Sequence, residues 1–383
     1  MIIRSIGVRR IPQCASVLVN YASSSEMYYN QKRYISTSIR QPMSLIPTAS
    51  SLVAASPSNI KPYLQLMRVD KPIGTWLLYW PCTWSIAMAT PAGQLPSLYM
   101  LSLFGTGAFL MRSAGCVIND LWDKDFDKQV RISRFWEKLT LDFKVERTKL
   151  RPLACGLLSE KQAVGLLAGL LSSSLAILLQ LNWFSVAVGA SSMALVVGYP
   201  LAKRYTYWPQ FMLGLTFNWG ALLGWAALKG DLSSSAPFWM YAAALQWTLV
   251  YDTIYAHQDK ADDIMIGVKS TALRLGADTK KWLSAFGVGT VASLTACGMA
   301  SDQTWPYYVA LAATTAQLGW QIGSVDIDNG ADCWDKFKSN SWMGIILFTG
   351  IVMSTLLKEK EDPKQSKNAA TLEVEDIDDV VVS

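Results

Sequence analysis

The sequence predicts an all-α polytopic membrane protein, a bundle of about nine transmembrane helices, on three observations. Hydrophobic residues make up 51% of the 383 and charged residues only 16%, where a soluble domain carries about 25% charged. Mean hydropathy is positive, +0.22. The apolar residues gather in long unbroken stretches of about 20, the length that crosses a bilayer as a helix. A transmembrane β-barrel would instead show many short alternating strands.

Residues 1–50 hold Arg4, Arg9, Arg10, Lys32, Arg33 and Arg40 against a single acid, Glu26. An Arg- and Ser-rich, acid-poor start reads as a mitochondrial transit peptide, and "IGV" and "SVLV" are too short for a secretory core. The nine expected spans fall at about 73–90, 98–118, 163–181, 183–202, 210–228, 237–252, 282–300, 305–323 and 341–357. The third and fourth are divided only by "QLN", a soft boundary. Residues 358–383 are charged, have little to bury and read as disordered.

Threading these spans puts "PAGQLPS", "QLN", "KGDLSSSA" and "SDQT" on one side, all short and nearly uncharged. Every long charged loop falls on the other, with most of the loop Lys and Arg, which marks the cytoplasm-equivalent face. For a mitochondrial inner membrane that face is the matrix.

Two of these loops carry acids at helical spacing. In "NDLWDKDFD", Asn119, Asp123 and Asp127 stand at i, i+4 and i+8, with Asp120 three residues before Asp123. On a helix they share one face. Like charges so placed repel unless a cation sits between them, and an all-oxygen donor set suits Mg²⁺ or Mn²⁺. The second cluster lies in "YDTIYAHQDKADDIMIGVKSTAL", where Asp259 and Asp263 stand at i, i+4, with Asp262 beside them and Asp252 earlier. Ionisable groups at the membrane are costly and usually functional. Two such clusters facing each other would hold a diphosphate through bridging metal. The basic residues Arg147, Lys149, Arg151, Lys203, Arg204, Lys260, Lys269 and Arg274 fit the same picture, because a departing diphosphate needs its charge neutralised.

The composition also excludes. His257 is the only histidine, so a His-based metal site or a Ser-His triad is nearly excluded. The six cysteines are scattered without metal spacing. No P-loop and no nucleic-acid motif is present.

"NDLWDKDFD", "ERTKLRPLACG", "YPLAKRYTYWPQ" and "YDTIYAHQDKADDIMIGVKSTAL" resemble the motifs of the UbiA-type intramembrane prenyltransferases. With "YLQLMRVDKPIGTWLLYWPCTWS" at 63–85, the likeness is greatest to the branch that prenylates 4-hydroxybenzoate in ubiquinone synthesis. It covers about 61–357, the expected prenyltransferase domain. The resemblance implies a nine-helix bundle around a central cavity, Mg²⁺, a polyprenyl diphosphate donor and 4-hydroxybenzoate as acceptor. It also implies a setting in membrane lipid and association with other ubiquinone-synthesis proteins. Carried over by position, Asn119, Asp120, Asp123, Asp127, Asp259 and Asp263 would hold metal. Asp123, Asp127, Asp259, Asp263 and Arg204 would act in catalysis, and Arg68, Lys124, Arg147, Arg151, Lys203 and Lys260 would bind substrate, with Arg68 and Arg204 the partners for the aromatic acid. The implied chemistry is electrophilic substitution ortho to the phenol hydroxyl by an allylic cation.

One segment departs from the pattern. Joining Gln129 to Val145 gives "DKQVERTKLRPLACG", the ordinary form, so residues 130–144 read as an insertion or a retained short intron in the loop expected to cover the diphosphate. Sequencing the mature transcript decides between the two. Rival readings are a UbiA-type enzyme with a haem, homogentisate or naphthoate acceptor, and a cation-coupled transporter. The absence of an inverted repeat and the acids' position at helix ends weigh against the transporter.

Overall fold

Apolar stretches with Pro or a capping residue at their starts become helices, and the computed structural model contains only helices and turns among its described residues. It describes residues 48–137, 152–153, 156–260, 263–264 and 269–359, with backbone alone at 123–137, 200–201 and 203–204. All the helices lie in one unit, Ala49–Ser383. In chain order they are α1 (Ala49–Ala55), α2 (Lys61–Leu66), α3 (Ile73–Ala89), α4 (Leu98–Glu137), α5 (Glu160–Leu178), α6 (Trp183–Ser191) and α7 (Met193–Tyr205). There follow α8 (Pro209–Phe217), α9 (Gly220–Lys229), α10 (Ala236–Ala256), α11 (Thr271–Leu275), α12 (Thr279–Ala300), α13 (Trp305–Ser324) and α14 (Gly330–Leu356). By length and composition, five segments among the described residues are long and apolar enough to cross a membrane: Leu98–Trp122, Glu160–Leu178, Pro209–Lys229, Thr271–Ala300 and Gly330–Leu356. Each of the nine expected spans lies on helix, while the count of nine crossings remains a reading of the sequence.

The boundaries have local causes. Ser159 and Gln162 form a capping box at the start of α5. The soft "QLN" boundary is firm: Asn182 caps α6 by accepting from the Ser185 amide, and its amide nitrogen donates to the Ala226 carbonyl of α9 at 2.9 Å. Pro209, Pro237 and Pro306 sit near the starts of α8, α10 and α13, where a missing N–H costs nothing.

Two expected spans are each two helices. The run 183–202 divides at Ser192, between α6 and α7, and the run 210–228 divides at Asn218–Trp219. Asn218 is fully buried. Its amide nitrogen donates to the Gly214 carbonyl at 2.7 Å and to Thr248 Oγ1 at 2.8 Å. An amide buried in this way ties the broken backbone to α10. The third difference concerns the insert. α4 does not end at the first acid cluster but runs on to Glu137, so residues 130–137 extend a helix where a longer loop was expected.

The main core joins α3, α9, α10, α12, α13 and α14 around Trp84, Trp247, Tyr251 and Tyr307. Glycine permits the closest approaches. At Gly344 a Cβ would collide with the Trp80 indole, and the Gly344 carbonyl accepts from Trp84 Nε1 at 3.0 Å, docking α14 on α3. A smaller cluster joins α2, α4 and α5 through Leu66, Val117, Ala163 and Leu170.

Candidate active site

One cavity of about 630 Å³ lies between α3, α4, α5, α6, α7, α8, α9 and α10 and reaches the start of α14. Its apolar part is lined by small and aliphatic residues such as Gly107, Leu171, Leu178 and Met193. At its polar part stand Arg68, Lys71, Asn119, Asp120 and Asp252. Asn119 and Asp120 come from the first acid motif and Asp252 from the start of the second, so segments over a hundred residues apart meet at one cavity.

Each is placed by its element. Arg68 has φ 58°, a left-handed conformation rare for a side-chain-bearing residue, and turns the chain from α2 toward α3. Asp120 is 5% exposed on α4, one turn beyond Cys116. Arg68, Arg112, Asp70 and Asp120 all lie close enough to act electrostatically on the Cys116 thiol. An aromatic wall faces them: Tyr251 and Tyr255 from α10 meet Phe337 of α14 at 5.8 and 4.7 Å between ring centroids, and Trp334 stacks on Phe337 at 5.6 Å. All four line the cavity.

Arg112 was missed in the sequence, where it passes as part of an apolar span. It lines the cavity, and its Nε is buried without a hydrogen-bond partner. Its Nη1 donates to Cys116 Sγ, and the guanidinium lies 5.8 Å from the Phe217 ring centroid. Gly74 makes the room: a Cβ there would collide with Arg112 Nε. The signal was a lone cation inside an apolar stretch. Trp334 and Phe337 left no such signal, since they precede the last span and belong to no motif.

The second acid motif is held by its neighbours. After α10 the chain makes a 3₁₀ turn, His257–Asp259. Asp259 and Asp263 are half-buried and stand outside the cavity lining. His257 is 6% exposed, and burial, reinforced by Lys260 and opposed by Asp328, pushes its pKa down to about 4. Thr253 and Thr271 share a hydroxyl hydrogen bond of 2.8 Å, and the Thr271 amide donates to Gln210 Oε1 at 3.1 Å. Lys269, which flanks the second cluster in the sequence, donates to the Tyr205 carbonyl at 3.3 Å and lies 5.3 Å from the Tyr207 ring centroid. It ties the stretch after Lys203–Arg204 to the later part of the second motif.

Of the remaining expected residues, Lys260 is half-buried beside His257. Asp123, Lys124, Asp127, Lys203 and Arg204 lie on helical backbone, with their side chains outside the description, and Arg147, Arg151 and Asp262 fall outside the described residues. Among the described residues no three His, Cys, Asp or Glu side chains form a ready cage for a metal. The donors at the cavity are the oxygens of Asn119, Asp120 and Asp252. That set fits a hard cation which keeps water and takes its other ligands from substrate phosphates.

The UbiA prenyltransferase family matches residues 78–346. The chain is 83% identical over 361 residues, 94% of its length and 97% of the relative's, to 4-hydroxybenzoate polyprenyltransferase, mitochondrial, of Caenorhabditis elegans. The fold is shared with the apo structure of a UbiA homolog from Aeropyrum pernix K1, with a TM-score of 0.59 and 24% identity over 73% of this chain and 97% of that one. It is shared also with a UbiA homolog from Archaeoglobus fulgidus bound to DMAPP and Mg²⁺, with a TM-score of 0.55 and 18% identity over 76% and 99%.

Proposed function

The chain belongs to the UbiA prenyltransferase family, and on that premise we propose that it transfers a polyprenyl group from polyprenyl diphosphate to the ring of 4-hydroxybenzoate, an early step of ubiquinone synthesis. The observation that carries the reading is the meeting of Asn119, Asp120 and Asp252 at the polar part of one largely apolar cavity. An allylic diphosphate has the same division, a lipid tail and an anionic head. The relative's name supports the acceptor and a mitochondrial membrane. We place the protein in the inner membrane with the acid motifs toward the matrix, because the charged loops gather on one face.

Mg²⁺, when bound, supplies the positive charge that lets diphosphate depart. In the proposed mechanism Asn119, Asp120, Asp123 and Asp127 would hold it from α4, with Asp252 on α10, Asp259 in the turn after α10 and Asp263 beyond that turn. Arg68, Lys124, Arg147, Arg151, Lys203, Arg204 and Lys260 neutralise the diphosphate. Tyr251, Tyr255, Trp334 and Phe337 present ring faces to the allylic cation, a contact worth ~2 kcal/mol once water is excluded.

Arg112 takes the acceptor's carboxylate, the role expected of Arg68 and Arg204, because Arg68 stands with Asn119 and Asp120 at the polar part of the cavity. It stands seven residues before Asn119, about 10 Å along the α4 axis, room for one para-substituted benzoate whose hydroxyl end points at the diphosphate. There the ring carbon ortho to the hydroxyl attacks, and loss of its proton restores aromaticity.

The test uses membranes carrying the full chain, a polyprenyl diphosphate and 4-hydroxybenzoate, with homogentisate, a hydroxynaphthoate and haem B in parallel. The expected result is a 3-polyprenyl-4-hydroxybenzoate that requires divalent cation. Product on another acceptor, and none on this one, overturns the reading. Arg112→Gln should raise the acceptor KM about 10- to 100-fold, the loss of a hydrogen bond to a charged group, and leave the donor KM in place.

A further inference from the structure

His257 lies two residues before Asp259 and enters no step above. It is almost fully buried, and its Nε2 lies 3.2 Å from Thr279 Oγ1. Thr279, the first residue of α12, is fully buried and donates its own hydroxyl proton to the Gly276 carbonyl at 2.8 Å. A threonine hydroxyl has one proton. With that proton spent, Thr279 Oγ1 meets His257 only as an acceptor, so the imidazole carries its proton on Nε2. Its Nδ1 is buried without a hydrogen-bond partner.

The contact sits where a fixed angle matters. α10 ends at Ala256, and the 3₁₀ turn His257–Asp259 carries the chain from it toward Asp263. On one side this turn is tied to the start of α12 through Thr279. On the other, Gly330 at the start of α14 faces Gln258, where an added Cβ would find Gln258 atoms at 3.8 to 3.9 Å. Gly276, the carbonyl at the end of the chain of bonds, has φ 50°, a conformation that favours glycine. The link His257–Thr279–Gly276 therefore joins the turn to a specialised corner.

We propose that His257 is a positioning residue whose Nε2–H, donated to Thr279, holds the turn so that Asp259 faces a divalent cation. The proposal rests on the reading of Asp259 as a metal ligand.

Mn²⁺ binding to the full-length protein in detergent, followed by electron paramagnetic resonance of the free ion, separates the two. Glutamine places a donor nitrogen where Nε2 stands and asparagine places one where Nδ1 stands. His257→Gln should bind Mn²⁺ close to the parent's affinity, whereas His257→Asn and His257→Leu should weaken binding by about 10-fold, the low end for loss of an outer-shell partner. Thr279→Val should match His257→Leu, the double variant should add nothing further, and Thr279→Ser should restore binding. A purely structural role would lower thermal stability for glutamine and asparagine alike without separating their Mn²⁺ affinities. Parent-like binding in His257→Asn and His257→Leu, with Asp259→Asn weakened, overturns the proposal and leaves the metal reading standing. Parent-like binding in Asp259→Asn overturns both.

Discussion

The two sides of the cavity are built differently. On one side α3, α10, α12 and α14 form a dense core in which Trp84, Trp247, Tyr251 and Met343 are essentially sealed. On the other, α5 buries only Ala163 and Leu170 and α6 only Ser185 and Gly189, and Trp183 is 82% exposed. In a bilayer those exposed faces meet lipid tails, which solvate them as well as protein would. The dense side carries the aromatic wall and the segment of the second acid motif. The sparse side supplies aliphatic lining. The aromatic wall is rigidly placed, whereas α4, which carries Arg112, Asn119 and Asp120, packs with α5 of the thin side through Ala114 and Val117.

Substitutions can break or sharpen this contrast. The largest effect belongs to the dense side. Trp247 donates to Asn340 at 2.7 Å and packs on Trp84 at 5.2 Å between centroids. Trp247→Ala should lower unfolding free energy by about 3–5 kcal/mol, read from denaturant unfolding in detergent. Leu170→Ala on the sparse side should cost about 2 kcal/mol, the low end for a buried leucine, because its site can relax toward lipid. Equal costs would mean the two sides are equally tight. The smallest change sharpens the division of labour. A Cβ at Gly107 would meet only Ile177, at an ordinary 3.7 Å, and Gly107 lines the apolar part. Gly107→Leu should leave stability near the parent's and shift donor choice about 10-fold toward shorter prenyl chains, the discrimination a few methylenes afford. Competition between two donor lengths in one reaction measures it.

How much of this was legible in the sequence follows the same division. Apolar length alone located α3, α10, α12 and α13 to within a few residues, since a span is written in composition. The breaks at Ser192 and Asn218 were not legible, because a polar residue inside an apolar run reads alike whether it faces a cavity, a neighbouring helix or nothing. Only the packing shows that Asn218 reaches Thr248. The acid motifs announced a site by charge and spacing. Arg112 was hidden by the apolar run around it, and a lysine's charge does not reveal which carbonyl it meets, as Lys269 meets that of Tyr205. Tyr251 and Tyr255 belong to a motif, but Trp334 and Phe337 join them only through the fold.

The length of α4 bears on a different matter, the sidedness of the protein. Forty residues of helix measure about 60 Å, twice the hydrocarbon thickness of a bilayer, while only Leu98–Trp122 is apolar enough to lie within it. The remainder, residues 123–137, carries too many charged residues to lie there. A single cysteine introduced near its tip, reacted with an impermeant maleimide in mitoplasts and then in inside-out vesicles, would report directly which compartment the acid motifs address.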